Sequence, residues 1–193
     1  MGEYPDAMAL DRARDAFFAR WGLGADGGYG GRWVRVETRP VPVWFPNTRC
    51  RVEAAKLHDL HHVATGYGAD WAGEAEIAAW EIAGGCGRYG WAWLLNLGAF
   101  TVGMALCPRR LFRAFVRGRR ARTLYHGGFD EARLSATRVG ELRARLGITA
   151  ADPHPTAGDR AAFAGWCIAA AAWHGGILAG GLMAAWIAWT IVS

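Results

Sequence analysis

Apolar residues recur along most of this chain at the three- and four-residue spacing of an α-helix. Residues 8 to 21 place their alanines and aromatic side chains on one stripe, which predicts an opening helix. Residues 52 to 64 contain no glycine or proline, and a second helical pattern begins near Trp71, so both segments are predicted helices. The turn at residues 66 to 68 is short and contains glycine, which lets these two helices fold back antiparallel.

The later segments continue the helical pattern. A glycine-rich break precedes the apolar run at residues 91 to 107, which is near the lower length limit for a membrane crossing. We therefore expect that run to be a buried or membrane-facing helix of the domain. An arginine-rich helix is predicted for residues 109 to 125 and an amphipathic helix for residues 130 to 146. The pattern as a whole predicts an all-α fold.

Prolines mark the segments that are not helical. Three prolines make residues 39 to 46 extended, because proline disfavours helix at its own position and at the preceding one. Trp44 and Phe45 in this segment have two interpretations, as a wall of a binding site or as a packed connector. Prolines also indicate a linker around residues 152 to 156. The expected organisation is a helical domain over residues 1 to 150, a linker over 151 to 160 and a tail over 161 to 193.

The tail contains no charged side chain. As one straight helix it would be about 50 Å long, which exceeds the roughly 30 Å of a hydrocarbon core. His174, Gly175 and Gly176 lie near its middle, so the sequence predicts a helical hairpin that dips into the membrane. One tilted span that starts later and burial in a soluble core remain the alternatives. At the predicted turn, His174 is expected to have a structural or interfacial role.

One short stretch carries the clearest candidate chemistry. His58 and His62 are four residues apart, so on a helix they project from the same face, and Asp59 lies at the edge of that face. Glu74 follows on the next predicted helix, which the antiparallel turn brings beside the histidines. Two imidazoles with carboxylates suit zinc or another first-row divalent ion. The spacing therefore favours a metal site between the two helices.

The same stretch resembles the hallmark of the Coq-four family of ubiquinone (coenzyme Q) biosynthesis proteins. That hallmark is His-Asp-x-x-His followed after eleven residues by Glu, and this chain has His58, Asp59, His62 and Glu74 at those positions. The flanking residues from 57 to 76 are similar as well. A later stretch, ending at residue 148, resembles the closing helix of the family. The resemblance covers roughly residues 10 to 149 and leaves the apolar tail outside it.

The resemblance implies an all-helical, membrane-associated protein that binds a divalent metal, zinc first, through His58, Asp59, His62 and Glu74. His61 falls at a variable position of the motif and is not implied as a ligand. The family is linked to oxidative decarboxylation at ring carbon C1 of a prenylated hydroxybenzoate. The resemblance therefore implies a metal-dependent decarboxylase (a lyase) that binds a prenylated quinone precursor or another prenyl lipid, with other quinone-biosynthesis enzymes as partners.

Two other functions stay open. A non-catalytic scaffold would bind prenyl lipids and present quinone precursors to partner enzymes, with a closed structural metal site. A metal-dependent hydrolase would use an acid between two histidines as a general base, as the HExxH pattern does. In this chain that acid is Asp59, whose side chain is one methylene shorter than the glutamate of that chemistry. The hydrolase is therefore the less favoured of the two.

Composition and charge favour a membrane surface. A hydrophobic content of 52% with 11 tryptophans lies at the upper edge for a soluble protein. The net charge of +5 is segregated, because residues 82 to 129 contain no acid. A basic surface of this kind favours anions such as lipid headgroups. Seven arginines, the arginine block, are predicted to bind them: Arg109, Arg110, Arg113, Arg117, Arg119, Arg120 and Arg122.

The setting of the protein follows from the same features. Nucleic acid is disfavoured as a partner, because the arginines directly follow an apolar run and lack the stacking motifs of RNA-binding modules. Arginines beside an apolar segment favour the cytoplasmic face of a membrane. Arginine supplies all but one of the 22 basic residues, which indicates a bacterial genome and therefore the inner membrane. The four cysteines lack CxxC pairing, which argues against a disulfide scaffold, and self-association of the chain stays open.

Overall fold

The computed structural model describes residues 3–36, 42–149 and 151–192. Within this part of the chain the fold consists of α-helices, one two-stranded antiparallel sheet and two short 3-10 helices. The all-α class predicted from the sequence is confirmed. In chain order the elements are α1 Leu10–Trp21, β1 Trp33–Val36, β2 Val43–Pro46, α2 Arg49–Thr65, α3 Trp71–Gly84, α4 Gly90–Leu106, α5 Pro108–Gly118, the 3-10 helices Leu124–His126 and Glu131–Arg133, α6 Val139–Leu146 and α7 Ala157–Val192.

Helices α2 and α3 form the predicted antiparallel pair. The side chains of Thr48 and Asp70 accept hydrogen bonds from backbone amides and cap the starts of α2 and α3. Gly66 ends α2 with a φ of 78°, a left-handed conformation that costs glycine little. A side chain near the end of α2 contacts the start of α3, and an earlier one contacts the last turn of α3. The two helices therefore run in opposite directions.

Helix α3 lies at the centre of the fold, between α4 and α5. Ile77 and Trp80 on this helix are fully buried. Gly118 of α5 lies so close to the Trp80 carbonyl that no Cβ would fit there. At Gly103 of α4, a Cβ would come within 2.6 Å of the Ala75 side chain. Glycine at both crossings therefore permits the close packing of three helices.

Helix α5 ends earlier than the arginine pattern predicts. The predicted helix over residues 109 to 125 is wrong after Gly118, where turns and a 3-10 helix follow. Beyond Gly118 the chain turns toward α6, and the Arg122 amide donates to the Leu146 carbonyl at 2.8 Å. Packing against neighbouring helices thus overrides the local helical preference.

Helix α6 starts later than its pattern predicts. The predicted helix over residues 130 to 146 is wrong before Val139. The segment before Val139 contains only one 3-10 turn. The Leu10 amide donates to the Thr137 carbonyl, and the Val139 amide donates to the Met8 carbonyl, both at 2.9 Å. This backbone pairing with the start of α1 keeps the chain extended there, and no local sequence pattern encodes it.

A β-hairpin precedes α2 where the sequence predicts only an extended segment. Val34 of β1 lies opposite Phe45 of β2. Residues 43 to 46 are extended as predicted, whereas residues 39 to 41 lie outside the described residues. Phe45 stacks on Trp91 of α4 with ring centroids 5.6 Å apart, and Trp44 is exposed. These contacts support the packed-connector interpretation for Phe45.

Helix α7 is continuous, so the predicted hairpin is wrong. Gly175 and Gly176 do not adopt a positive φ, and the helical hydrogen bonding runs through them. Glycine inside a helix costs about 1 kcal/mol, which a long helix tolerates without breaking. The helix also includes residues 157 to 160, which the sequence assigns to the linker.

The first half of α7 packs on the domain. The Phe163 ring contacts aromatic rings of α4 and α5 at centroid distances between 5.0 and 5.6 Å. Trp166 stacks on Trp93 at 5.6 Å. His174 ends this packed half, with Nδ1 lying 2.9 Å from the Thr101 hydroxyl. The structural role expected for His174 agrees with this contact, although it lies within a helix and not at a turn.

The second half of α7 extends away from the domain. Residues 175 to 190 are exposed throughout, and Leu182 and Trp189 each keep 73% of their surface accessible. Residues 175 to 192 form about 27 Å of helix, close to the roughly 30 Å of a hydrocarbon core. Among the described residues, α7 is the one helix long and apolar enough to cross a membrane. We call residues 175–192 the protruding half.

Replacing Gly103 by alanine should destabilise the protein by about 1–3 kcal/mol, because the added methyl group overpacks the crossing of α3 and α4. Gly98→Ala on the same helix is the matched control, since its Cβ would meet no atom within 4 Å. The higher helix propensity of alanine makes the control neutral or stabilising. Thermal unfolding in detergent measures both variants, and equal stability would contradict the close packing.

Truncation after His174 should preserve the fold and reduce the association of the protein with membranes or detergent. Of the removed residues, 175 to 190 are all exposed, so little packing is lost. Truncation after Asp159 should instead destabilise the domain, because it also removes Phe163 and Trp166. Circular dichroism and membrane fractionation distinguish the two truncated proteins. A full-length chain that is monodisperse without detergent would argue against a membrane segment.

Candidate metal centre

Three of the four predicted ligands converge between α2 and α3. The Nε2 atoms of His58 and His62 lie 3.0 Å apart. Oxygens of the Glu74 carboxylate lie 3.5 Å from the first of these atoms and 3.6 Å from the second. The donor atoms all fall within 4.8 Å of one another. The structure therefore brings together the histidine pair and the glutamate from the other side of the turn.

Hydrogen bonds on the far side of each imidazole orient both rings toward the same point. The His62 Nδ1–H donates to the Tyr67 carbonyl at 3.0 Å. The His58 Nδ1–H donates to the Glu81 carboxylate, also at 3.0 Å. With the proton on Nδ1, a neutral ring carries its lone pair on Nε2. Two such lone pairs facing a carboxylate repel one another unless a proton or a metal ion lies among them.

Two of the three donor separations fit a tetrahedral divalent ion. The distances of 3.5 and 3.6 Å from Glu74 to the histidines have the expected length, whereas the 3.0 Å between the two Nε2 atoms is shorter, so the imidazole rings must separate slightly to admit an ion. Ligand atoms about 2.0–2.2 Å from a zinc ion are about 3.3–3.6 Å apart at tetrahedral angles. Two imidazoles and one carboxylate form the donor set of many catalytic zinc sites, which keep a fourth position for water or substrate. The side chains of His58 and Glu74 are 22% and 35% exposed, whereas His62 is buried against the Phe17 ring. The site is therefore accessible from its Glu74 side.

Asp59 lies beside the site and does not join the other three donors. Its carboxylate accepts a hydrogen bond from the Tyr29 hydroxyl, which comes from the loop after α1. Burial raises the pKa of Asp59 to about 6, although the charge of His58 and the Tyr29 hydrogen bond act in the opposite direction. The role of Asp59 as a metal ligand thus stays a prediction.

Burial and neighbouring charges set the protonation of the three converging side chains. Burial lowers the pKa of His62 to about 4. Burial also disfavours charge on His58, but the carboxylates of Glu81 and Glu74 outweigh it and hold its pKa well above 6.5. For Glu74, burial raises the pKa, yet the two histidines outweigh burial and lower it. Without a metal, His58 therefore keeps a second proton, on Nε2, at neutral pH. An incoming ion must displace that proton.

Sequence reasoning missed the buried residues behind the ligands. Glu81 accepts hydrogen bonds from His58 and from His61, whose Nδ1 lies 2.6 Å away. The other nitrogen of His61 accepts from the Leu124 amide at 2.9 Å, so this ring joins α2 to a 3-10 helix and does not face the site. Glu81 follows Glu74 by seven residues, two turns along the same face of α3. That spacing is the signal that could have identified it.

The arginine block is more extensively paired than its sequence neighbourhood predicts. Arg117 donates a hydrogen bond to the Tyr67 hydroxyl at 3.0 Å, and it thereby contacts the turn that follows His62. Four members form ion pairs with acids distant in sequence: Arg110 with Glu76, Arg117 with Asp152, and Arg119 and Arg120 with Asp159.

Three arginines of the block remain available. Arg109, Arg113 and Arg122 are exposed and form no ion pair within the described residues. No acid lies near the block in sequence, but the tertiary fold brings Glu76 and Asp159 to it. The predicted binding of lipid headgroups stays a prediction, now centred on these three side chains.

Comparisons with known proteins find no counterpart: no family model, curated protein or solved structure matches this chain. The resemblance to the Coq-four family therefore depends on the motif residues, their flanks and the later stretch that ends at residue 148. The convergence of His58, His62 and Glu74 is an observation on this chain itself and does not depend on that resemblance.

The purified protein is expected to carry about one divalent ion per chain, and His62→Ala should lose it because a buried donor is removed. His154→Ala is the control, since this exposed histidine lies in the segment before α7. Elemental analysis after gel filtration measures both. Retention of the ion by a double variant, His58→Ala with His62→Ala, would contradict the site.

Metal affinity should fall as the pH falls through neutrality. The pKa of His58 is raised, so protons compete with the ion for its Nε2 below that pKa. Above that pKa the competition disappears and the affinity should level off. Competition with a chelator at several pH values measures the trend. An affinity that rises on acidification would contradict ligation by His58.

Proposed function

We propose that this chain is a membrane-associated, metal-dependent enzyme of quinone biosynthesis, acting in the C1 oxidative decarboxylation of a prenylated hydroxybenzoate-type precursor. The observation that carries the proposal is the convergence of His58, His62 and Glu74 on one accessible point. The motif resemblance supplies the substrate class. Helix α7 is long and apolar enough to enter the lipid phase, in which a prenylated substrate is dissolved. Zinc is the first choice of ion for this donor set.

The number of converging donors favours catalysis over a structural role. Structural zinc sites are usually closed by four protein ligands, whereas catalytic sites keep three and an open position. Three donors converge here, and Asp59 is engaged by Tyr29. A lipid-presenting scaffold with a structural metal needs a fourth ligand and is less well supported by this arrangement.

The proposed reaction assigns distinct tasks to the residues of the site. His58, His62 and Glu74 would hold a divalent ion, which would supply Lewis-acid chemistry to the substrate ring. The carboxyl group leaves as carbon dioxide, a hydroxyl group from water replaces it, and the ring gives a pair of electrons to an external acceptor of the dioxygen class. Zinc itself has no redox chemistry. Asp59, next to His58 in sequence and with a pKa that burial raises, would be the neighbouring group to accept a proton.

The protruding half of α7 supports the membrane location. Its length of about 27 Å matches a single crossing, and residues 175 to 190 are exposed and, apart from Thr190, apolar. Arg109, Arg113 and Arg122 lie in the domain that precedes the crossing. The positive-inside tendency therefore supports a domain on the cytoplasmic face, with these arginines near anionic headgroups.

Mass spectrometry of lipids from a gene-deletion strain tests the function. The deletion should accumulate a prenylated ring that still carries its carboxyl group, because the step that removes it is missing. Complementation with His154→Ala should restore the quinone, whereas His62→Ala should not, because it lacks a ligand of the proposed ion. Unchanged quinone and precursor levels in the deletion strain would contradict the proposal.

The same strains separate catalysis from lipid presentation. A scaffold depends on the fold and on lipid binding, so a stably folded His62→Ala protein would restore the quinone. An enzyme of the proposed kind would not, even when the variant is present in the membrane at the wild-type level. Immunoblotting of the membrane fraction supplies that control.

A further inference from the structure

Glu81 is a fully buried carboxylate in the last turn of α3, and it has four hydrogen-bond partners. One oxygen accepts from His58 Nδ1 at 3.0 Å and from His61 Nδ1 at 2.6 Å. The other accepts from the Asn96 amide at 2.5 Å and from the Tyr125 hydroxyl at 3.0 Å. A carboxylate has about four acceptor positions, so its hydrogen-bonding capacity is filled. Such complete satisfaction fixes both the position and the orientation of the group.

The charge of Glu81 lacks the usual compensation. Within the described residues its side chain forms no contact with lysine or arginine, and its polar partners are two imidazoles, an amide and a phenol. A buried carboxylate without a paired cation is strongly unfavourable. Of its partners, His61 is committed through Nε2 to the Leu124 amide. His58 is therefore the partner through which positive charge reaches Glu81.

The opposite side of His58 faces the candidate metal centre. Its Nδ1 binds Glu81, and its Nε2 lies 3.0 Å from His62 Nε2 and 3.5 Å from Glu74. In metal sites, a carboxylate that accepts the second N–H of a ligating histidine fixes the ring and makes it a stronger donor. The geometry around His58 has this form, with Glu81 behind the ring and the converging donors in front of it.

We infer that Glu81 is the positioning residue of the metal centre: it fixes His58 with Nδ1–H toward its own carboxylate and Nε2 toward the ion, and its charge raises the affinity for a cation. The inference deepens the proposed function and depends on its metal site. Asn96 on α4 and Tyr125 beyond α5 hold Glu81 in turn. Occupancy of the site is thereby coupled to the packing of three helices and a 3-10 segment.

Measurement of cobalt(II) affinity and of the cobalt absorption spectrum tests this role. Glu81→Gln keeps the size of the side chain and removes its charge, so the affinity should fall by about 10- to 100-fold. Glu76→Gln is the matched control, since this largely buried glutamate lies on the same helix and pairs with Arg110 away from the histidines. The control should bind cobalt as the wild type does, and Glu81→Asp should recover part of the lost affinity.

The outcomes separate this inference from the metal site itself. Wild-type protein that binds no cobalt would overturn both. Wild-type binding with unchanged affinity in Glu81→Gln would overturn only the role of Glu81, and so would an equal loss in Glu76→Gln.

A measurement on the wild type decides the matter if Glu81→Gln fails to fold. In nitrogen-15 spectra of the zinc-loaded protein, His58 should carry its proton on Nδ1 and bind zinc through Nε2. Zinc on Nδ1, or the absence of a proton there, would contradict the inference.

Discussion

The hydrogen bonds between Glu81 and the histidines of α2 are the contact on which the rest of the centre depends. They join α2 to α3 at a point where neither helix can rotate without leaving a buried carboxylate unsatisfied. Asn96 and Tyr125 extend the same constraint to α4 and to the chain beyond α5. The ring of His58 is consequently held from behind, while its front faces His62.

Helix α7 combines two environments in one uninterrupted element. Its first half packs by aromatic contacts, and Asp159 at its start pairs with Arg119 and Arg120 at the end of α5. In its second half, residues 175 to 190 are exposed and, apart from Thr190, apolar. A rigid helix that is docked at one end fixes the direction in which the other end leaves the domain. The position of the domain relative to a bilayer would follow from that docking.

Helical spacing predicted the positions of most helices. It also predicted that His58, His62 and Glu74 meet, because a short glycine turn leaves few arrangements of those side chains. The position of Asp59 could not be predicted, because the direction of its carboxylate depends on Tyr29, a residue thirty positions earlier in the chain. The pairing of the arginine block was equally hidden, since Asp159 is distant in sequence. Long-range contacts of this kind have no local signature.

The sequence alone determined the all-α class, the antiparallel pair α2–α3, the spacing of the candidate ligands and the apolar character of the tail. These follow from periodicity and glycine placement, which act over a few residues at a time. Only the tertiary structure decided that the tail is one helix, that α6 begins at Val139, and that Glu81 lies behind His58. Each of those outcomes is set by contacts between segments far apart in the chain, where packing and buried hydrogen bonds outweigh local preference.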